Sequence, residues 1–269
     1  KCSLQQFKEK IIRMFKRIIA RLDAKENNLI KGINLEGLRV IGPPNEYAKK
    51  YYNQGADELI FIDTVASLYG RNHLGKIIKS AAQDIFIPIT VGGGIRSLED
   101  ALNVLRVGAD KIAINTAAVK RPELISEISN TLGSQSVVLS VEAKKIKNNK
   151  WEVFIENGRE SSGVDVMEWI KRGEVYGAGE ILLTSIDRDG TGKGFDLDLI
   201  KLATENVSIP VIASGGIGII QDIYEAITLS NTDAIAMAYA LHYDKINFND
   251  VRNKLNSHKI NVRNFNNHE

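Results

Sequence analysis

Short apolar runs rich in isoleucine, valine and leucine recur along the chain, separated by longer amphipathic stretches. The runs are Phe15 to Leu22, Leu59 to Ile62, Ile85 to Val91, Ile112 to Ile114, Val137 to Val141, Ile181 to Ile186, Ile209 to Ala213 and Ala234 to Met237. Unbroken apolar runs of this length predict strands covered on both faces, as in a parallel sheet. The stretches between them predict helices over Pro44 to Asn53, His73 to Asp84, Ser97 to Val107, Arg121 to Leu132, Val164 to Tyr176, Asp196 to Asn206, Gln221 to Leu229 and Lys245 to Leu255. Ser97 ahead of Glu99 and Asp100 reads as an N-cap. Pro44 and Pro122 suit first turns, and Gly133 suits a helix end.

The chain repeats itself once. Ile87-Pro88-Ile89-Thr90-Val91-Gly92-Gly93-Gly94-Ile95 resembles Ile209-Pro210-Val211-Ile212-Ala213-Ser214-Gly215-Gly216-Ile217, and Gly55-Ala56-Asp57-Glu58-Leu59-Ile60 resembles Gly177-Ala178-Gly179-Glu180-Ile181-Leu182, both 122 residues apart. Two matches at one offset predict two homologous halves. Eight strands alternating with eight helices in two halves predict an α/β fold, a closed (β/α)8 TIM barrel over residues 14–257 rather than an open sheet. One connection departs from the alternation. Asn148-Asn149 between Lys144-Lys145-Ile146 and Trp151-Glu152-Val153-Phe154 predicts a small hairpin after strand five, on the face where the strand-to-helix loops lie.

Composition adds bounds. Thirty-five Lys+Arg against 33 Asp+Glu leave a net charge of +2, and hydrophobic residues make up 43%, which excludes a disordered chain or a polyanion binder driven by bulk charge. A single cysteine, Cys2, allows no intramolecular disulfide and suits a reducing compartment such as the cytoplasm. No run of about 18 apolar residues suggests a membrane span. Residues 1–13 read as an amphipathic extension or a non-native segment ahead of Met14, and the Asn-rich tail 258–269 is expected to fray.

In barrels of this kind chemistry sits at the C-terminal ends of the strands. Asp23 and Glu142 stand there in matching positions of the two halves, each followed by Ala-Lys. Either alone reads as a solvated loop residue; as a repeat-related pair they suit general acid and general base work. The turns Gly92-Gly93-Gly94 and Ser214-Gly215-Gly216 each follow a strand and precede a helix, where bare N–H groups can cradle phosphate. Their recurrence predicts two phosphate sites and a ligand with phosphate at both ends. Asp63, Asn115, Thr116, Asp187, Asp189, Gly190 and Thr191 add polar groups to the same rim. His73, His242, His258 and His268 are too scattered for a zinc pattern, and no metal or cofactor motif stands out. His242 reads as a structural or rim residue.

Taken together, Arg17-Ile18-Ile19-Ala20-Arg21-Leu22-Asp23, Thr90-Val91-Gly92-Gly93-Gly94-Ile95-Arg96-Ser97, Gly108-Ala109-Asp110-Lys111 with Asn115, Leu183-Thr184-Ser185-Ile186-Asp187-Arg188-Asp189-Gly190-Thr191 and Val211-Ile212-Ala213-Ser214-Gly215-Gly216 resemble the cyclase subunit of imidazole glycerol phosphate synthase, the HisF family. The resemblance runs from about Phe15 to the last helix. It implies a lyase-type synthase subunit of histidine biosynthesis, a bis-phosphorylated substrate, no cofactor, and ammonia from a HisH-like glutaminase in a heterodimer, without nucleic acid or membrane. It matches Asp23 and Glu142 to the family's two catalytic acid/base positions. Gly93, Gly94, Asn115 and Thr116 match one phosphate site; Thr184, Ser214, Gly215 and Gly216 match the other, with Asp189 at the substrate rim. Arg17, Glu58, Lys111 and Glu180 match a charged ammonia gate at the barrel bottom, and Asp110 a partner contact.

Three residues depart from the family pattern. Glu142 stands where aspartate is usual and moves its carboxyl by roughly 1 Å. Tyr239 in Met237-Ala238-Tyr239-Ala240 could crowd a phosphate site, and Arg21 replaces a small residue. With the loops Lys31 to Arg39 and Ala66 to Asn72, these resemble a HisF-like branch of surface-polysaccharide gene sets, in which ammonia converts a nucleotide-linked acetamido sugar into an acetamidino sugar. A non-catalytic activator of a glutaminase and an ammonia-independent phosphate-binding isomerase are the remaining readings.

Overall fold

In the computed structural model, which describes residues 15–66 and 74–265, eight parallel strands close a barrel. The strands are β1 (Arg17–Lys25), β4 (Glu58–Asp63), β5 (Ile89–Gly92), β6 (Lys111–Ile114), β7 (Val137–Lys147), β10 (Glu180–Ser185), β11 (Val211–Ser214) and β12 (Ala234–Met237). Each pairs in parallel with its neighbours, and β10 against β7 completes the circuit. The connecting helices are α1 (Pro44–Asn53), α2 (Gly75–Asp84), α3 (Leu98–Arg106), α4 (Thr116–Lys120), α5 (Glu123–Leu132), α6 (Val166–Val175), α7 (Leu197–Asn206), α8 (Ile220–Ser230), α9 (Tyr239–His242) and α10 (Phe248–Ser257). The short α4 and α9, in matching places of the two halves, carry no apolar period and escape the sequence pattern. Ser97 caps α3 through its hydroxyl, which accepts from the Asp100 N–H at 3.1 Å, and Gly133 ends α5 at φ +86°.

The expected strand Phe15 to Leu22 starts at Arg17, and two others start late just after a proline. Ile85 to Val91 begins at Ile89, and Ile209 to Ala213 begins at Val211. Pro88 and Pro210 have no N–H for the ladder, and Phe86 is exposed.

The strand period of two explains how the same segments serve two cores. Outward residues such as Ile18, Ala20, Leu22 and Ala24 of β1 pack beneath the helices. Inward residues fill the barrel with Ile19, Ile60, Ile62, Ala113, Val138, Leu182, Ile212, Ala234 and Ala236. The inward series of β1 runs Arg17, Ile19, Arg21, Asp23, so its charges stand at the bottom and top of the barrel with an apolar layer between.

Strands β1 and β7 outrun the others and fold back as antiparallel extensions. β7 pairs with β8 (Lys150–Ile155), and β8 with β9 (Glu160–Asp165), around the expected turn, with Asn149 at φ +55°. β1 pairs with β2 (Asn28–Ile33), and β2 with β3 (Glu36–Gly42), an extension the sequence pattern does not announce. The halves therefore match in their extensions as well as their strands.

At the bottom, one device recurs. Asp57, Asp110 and Asp233, each just before or at a strand start, accept the backbone N–H of Ile18, Ile89 and Val211 at 2.7, 2.8 and 3.0 Å. The start of the tail lies against the barrel. Lys16 bridges to Val262, and Arg252 and Arg263 both pair with Asp57 at 2.7 and 2.9 Å, because the tail's Ile260 and Val262 find apolar cover. Residues 1–14, the Ser67 to Asn72 part of the second loop, His73 and residues 266–269 lie outside the described residues.

Candidate active site at the barrel mouth

Asp23 and Glu142, though far apart in sequence, are both buried at the mouth, 3% and 6% exposed. They are held in opposite ways. Asp23 accepts from Arg21 Nε at 2.8 Å and from Lys31 Nζ at 3.1 Å. Burial pushes its carboxyl up, but the two cations outweigh that and hold it well below the usual carboxylate range. Lys31 also donates to Asp189 at 2.7 Å, so one buried ammonium joins two carboxylates. Among the described residues Glu142 has no ion pair. Its Oε2 accepts from Asn115 Nδ2 at 3.1 Å and from the Gly158 N–H at 2.8 Å. Burial pushes Glu142 up to about 7, with Arg21 and the Gly158 N–H pulling the other way. The glutamate's extra methylene thus ends on a backbone donor supplied by the β8–β9 extension.

Arg21 is the layer beneath the mouth. It is 2% exposed, and its Nη1 donates to the Thr184 and Ser214 hydroxyls at 2.8 and 3.1 Å. These two hydroxyls, expected at a phosphate, therefore face a guanidinium, and the space over Ser214, Gly215 and Gly216 beneath Tyr239 measures only about 10 Å³. The other half is open. A cavity of about 400 Å³ is lined by Asp63, Gly93, Gly94, Asn115, Thr116 and the basic side chains Arg96, Lys120 and Arg121. Gly93 has φ +95°, and a Cβ there would stand 2.3 Å from the Asp63 carbonyl oxygen. Gly93→Ala is therefore expected to cost about 2–4 kcal/mol in denaturant unfolding, with strain and clash adding.

Of the other rim residues, Asp189 faces the mouth, while Asp187 turns away and accepts the Lys145 N–H at 2.8 Å. His242 is buried, 2.7 Å from the Tyr51 hydroxyl through Nδ1, and burial pushes its imidazole down to about 4. Among the described residues no three His, Cys, Asp or Glu side chains converge to hold a metal ion, and no helix is long and apolar enough to cross a membrane.

At the opposite end, Arg17 bridges Glu58 and Glu180 at 2.7 and 2.8 Å, and Lys111 bridges the same two acids at 3.2 and 3.0 Å. The four side chains form a closed, charge-balanced ring across the barrel axis, one each from β1, β4, β6 and β10. Asp110, beside it, is exposed while its carboxylate holds the Ile89 N–H.

Lys31 is the mouth residue that sequence reasoning left without a role. It sits on β2, and only the fold-back of that strand aims it at Asp23. Its signal is the alternation in Asn28-Leu29-Ile30-Lys31-Gly32-Ile33, too short to stand out.

A duplicated (β/α)8 barrel with two buried carboxylates at its mouth and glycine turns beside them has the architecture of a barrel enzyme. Residues 17–247 match the model of the family described as "Histidine biosynthesis protein". A Legionella pneumophila protein described as imidazole glycerol phosphate synthase subunit HisF is 65% identical over 206 residues, 77% of this chain and 97% of its own length. A Bacillus cereus protein of the same description is 45% identical over 248 residues, 92% of this chain and 98% of its own. The chain belongs to the HisF family, that of the cyclase subunits of imidazole glycerol phosphate synthase.

Proposed function

We propose that the chain is the ammonia-using subunit of a two-subunit cytoplasmic synthase. A HisH-like glutaminase partner, docked at the barrel bottom around Asp110, supplies ammonia, which enters through the Arg17–Glu58–Lys111–Glu180 ring and reaches a phosphate-bearing substrate at the mouth. One observation carries this reading: two buried carboxylates in one mouth, Asp23 gripped by the cations of Arg21 and Lys31, and Glu142 by the neutral donors of Asn115 and Gly158, which favours the ionised form of the first while burial pushes the second up. Environments that push paired carboxyls apart assign one as base and the other as proton donor. Asp23 takes a proton from the attacking nitrogen or its adduct, and Glu142, half protonated near pH 7, returns one to the leaving group. Gly93, Gly94, Asn115 and Thr116 hold one phosphate in the open cavity. Gly215 and Gly216 with Thr184 and Ser214 form the equivalent turn, and Asp189 borders the substrate.

Turnover of the family's bis-phosphorylated ribulosyl carboxamide with ammonium salt, without any partner, tests the chemistry. Product formation is the expected result, and a chain that binds the substrate without turning it over is a glutaminase activator instead. A second substrate, a nucleotide-linked acetamido sugar converted to its acetamidino form, is favoured by the narrow space under Tyr239. Assay of both substrates in parallel distinguishes them.

The ring carries its own prediction. Lys111→Ala leaves two acids on one cation and opens the barrel floor. Glutamine-dependent product per glutamate released is expected to fall about tenfold, while turnover on added ammonium salt holds. Equal loss in both assays would remove the ring from ammonia transfer.

A further inference from the structure

Beside the mouth, on the flank of β1 and β12, lies a second cavity of about 520 Å³. One wall is the β2–β3 extension with Lys31, Glu36 and Arg39; the other is the segment after β12 with Tyr239, Tyr243 and Lys245. Its chemistry differs from that of the glycine turns. Tyr239 and Tyr243 stand with ring centroids 5.1 Å apart and planes tilted by 55°, and Tyr243 is 43% exposed. Lys245 Nζ lies 4.6 Å from the Tyr239 ring centroid. Neither Lys245 nor Arg39 makes an ion pair among the described residues, whereas the Lys31 charge is consumed by Asp23 and Asp189. Two cations without a carboxylate partner among the described residues and an exposed aromatic face border one groove, with Glu36 the acid among its lining residues.

Tyr239 links the groove to the closed turn. The same side chain covers Ser214, Gly215 and Gly216 and forms the groove wall. Its ring packs on the bare backbone of Gly192, where a Cβ would stand 3.2 Å from a ring carbon. The space over the turn is narrow, and an open groove with basic side chains lies next to it. The groove also reaches the chemistry, since Lys31 lines it and holds Asp23.

We propose that this groove is a nucleotide subsite, taking a nucleoside diphosphate whose base stacks on Tyr243 and whose phosphates meet Lys245 and Arg39. Aromatic faces take any base, and flanking cations take the phosphates. Glu36 offers an acceptor for ribose hydroxyls. The subsite deepens the reading of the mouth as a synthase active site, and rests on it for the identity of the reacting end of the ligand.

Titration calorimetry of the full chain with UDP, ADP and inorganic pyrophosphate tests it without any turnover. Both nucleotides are expected to bind, and pyrophosphate at least about tenfold more weakly, because it has no ring to stack. Tyr243→Ala, Lys245→Ala and Arg39→Ala, all at exposed positions, are each expected to weaken UDP about tenfold or more. Absence of nucleotide binding at millimolar concentration, pyrophosphate binding as tight as UDP, or UDP affinity indifferent to all three substitutions would each overturn the subsite. Loss of the subsite alongside ammonia-dependent turnover of the ribulosyl carboxamide leaves the synthase reading standing. Nucleotide binding without turnover of either substrate sinks the synthase reading and keeps the groove.

Discussion

Asp23→Asn is expected to lower ammonium-dependent turnover by about 10³-fold, the middle of the range that a positioned acid or base contributes. The same substitution is expected to destabilise the barrel. Arg21 has Asp23 as its carboxylate partner and is fully enclosed, so removing that charge leaves a guanidinium facing two hydroxyls. Breaking a buried pair from one side costs about 3–5 kcal/mol. Lys31 suffers less because Asp189 still holds it. The sign with pH follows from the depressed carboxyl. Its stabilisation is present above the ordinary aspartate pKa of 3.8 and is lost as pH falls below it. Steady-state rates with ammonium salt and urea unfolding of the same preparation check both halves. Activity retained within tenfold removes Asp23 from the chemistry.

Glu142→Gln is expected to separate activity from stability in the opposite direction. Turnover falls by about 10²-fold or more, and the limb near pH 7 disappears from a pH profile plotted against free-base ammonia. Stability behaves differently because the folded carboxyl sits near 7 rather than its ordinary 4.5. The native state binds this proton more tightly than the unfolded chain. The favourable contribution is full below pH 4.5 and is lost as pH rises through 7, on the order of 3 kcal/mol in all. Glutamine stays neutral and keeps that contribution at every pH. The variant should therefore match the parent near pH 4.5 and melt roughly 5–10 °C above it at pH 8. A gap that does not open with pH would place the Glu142 carboxyl in water. Glu142→Asp tests the reach, since the shorter side chain cannot meet the Gly158 N–H and the substrate in the same way.

How far the candidate site could be read from the chain depended on whether its residues lie on barrel strands. Asp23, Glu142, Asn115 and the four ring residues sit on or at the ends of apolar strands, where the period of two sets the inward face. Repetition then paired Asp23 with Glu142 and one glycine turn with the other. Lys31 was not legible, because β2 becomes a strand only by pairing back on β1. Asp187 and Asp189, two residues apart, were both placed on the rim by the residue pattern, and only the family resemblance singled out Asp189; one serves the extension and the other the mouth. Arg21 was visible as a departure from the family pattern, but not as the guanidinium that occupies Thr184 and Ser214.

The alternation of apolar runs and amphipathic stretches, repeated once, determined by itself that this chain closes into an eight-stranded barrel with acids at the strand ends. Those are local properties: each apolar run must be covered on both faces, and each helix buries one stripe. Tertiary structure alone decided which charges meet. Asp23 meets two cations and Glu142 an amide and a backbone N–H because residues brought from β2, the end of β6 and the β8–β9 turn surround them. The electrostatics of a buried group are set by neighbours in space, and those neighbours are remote along the chain.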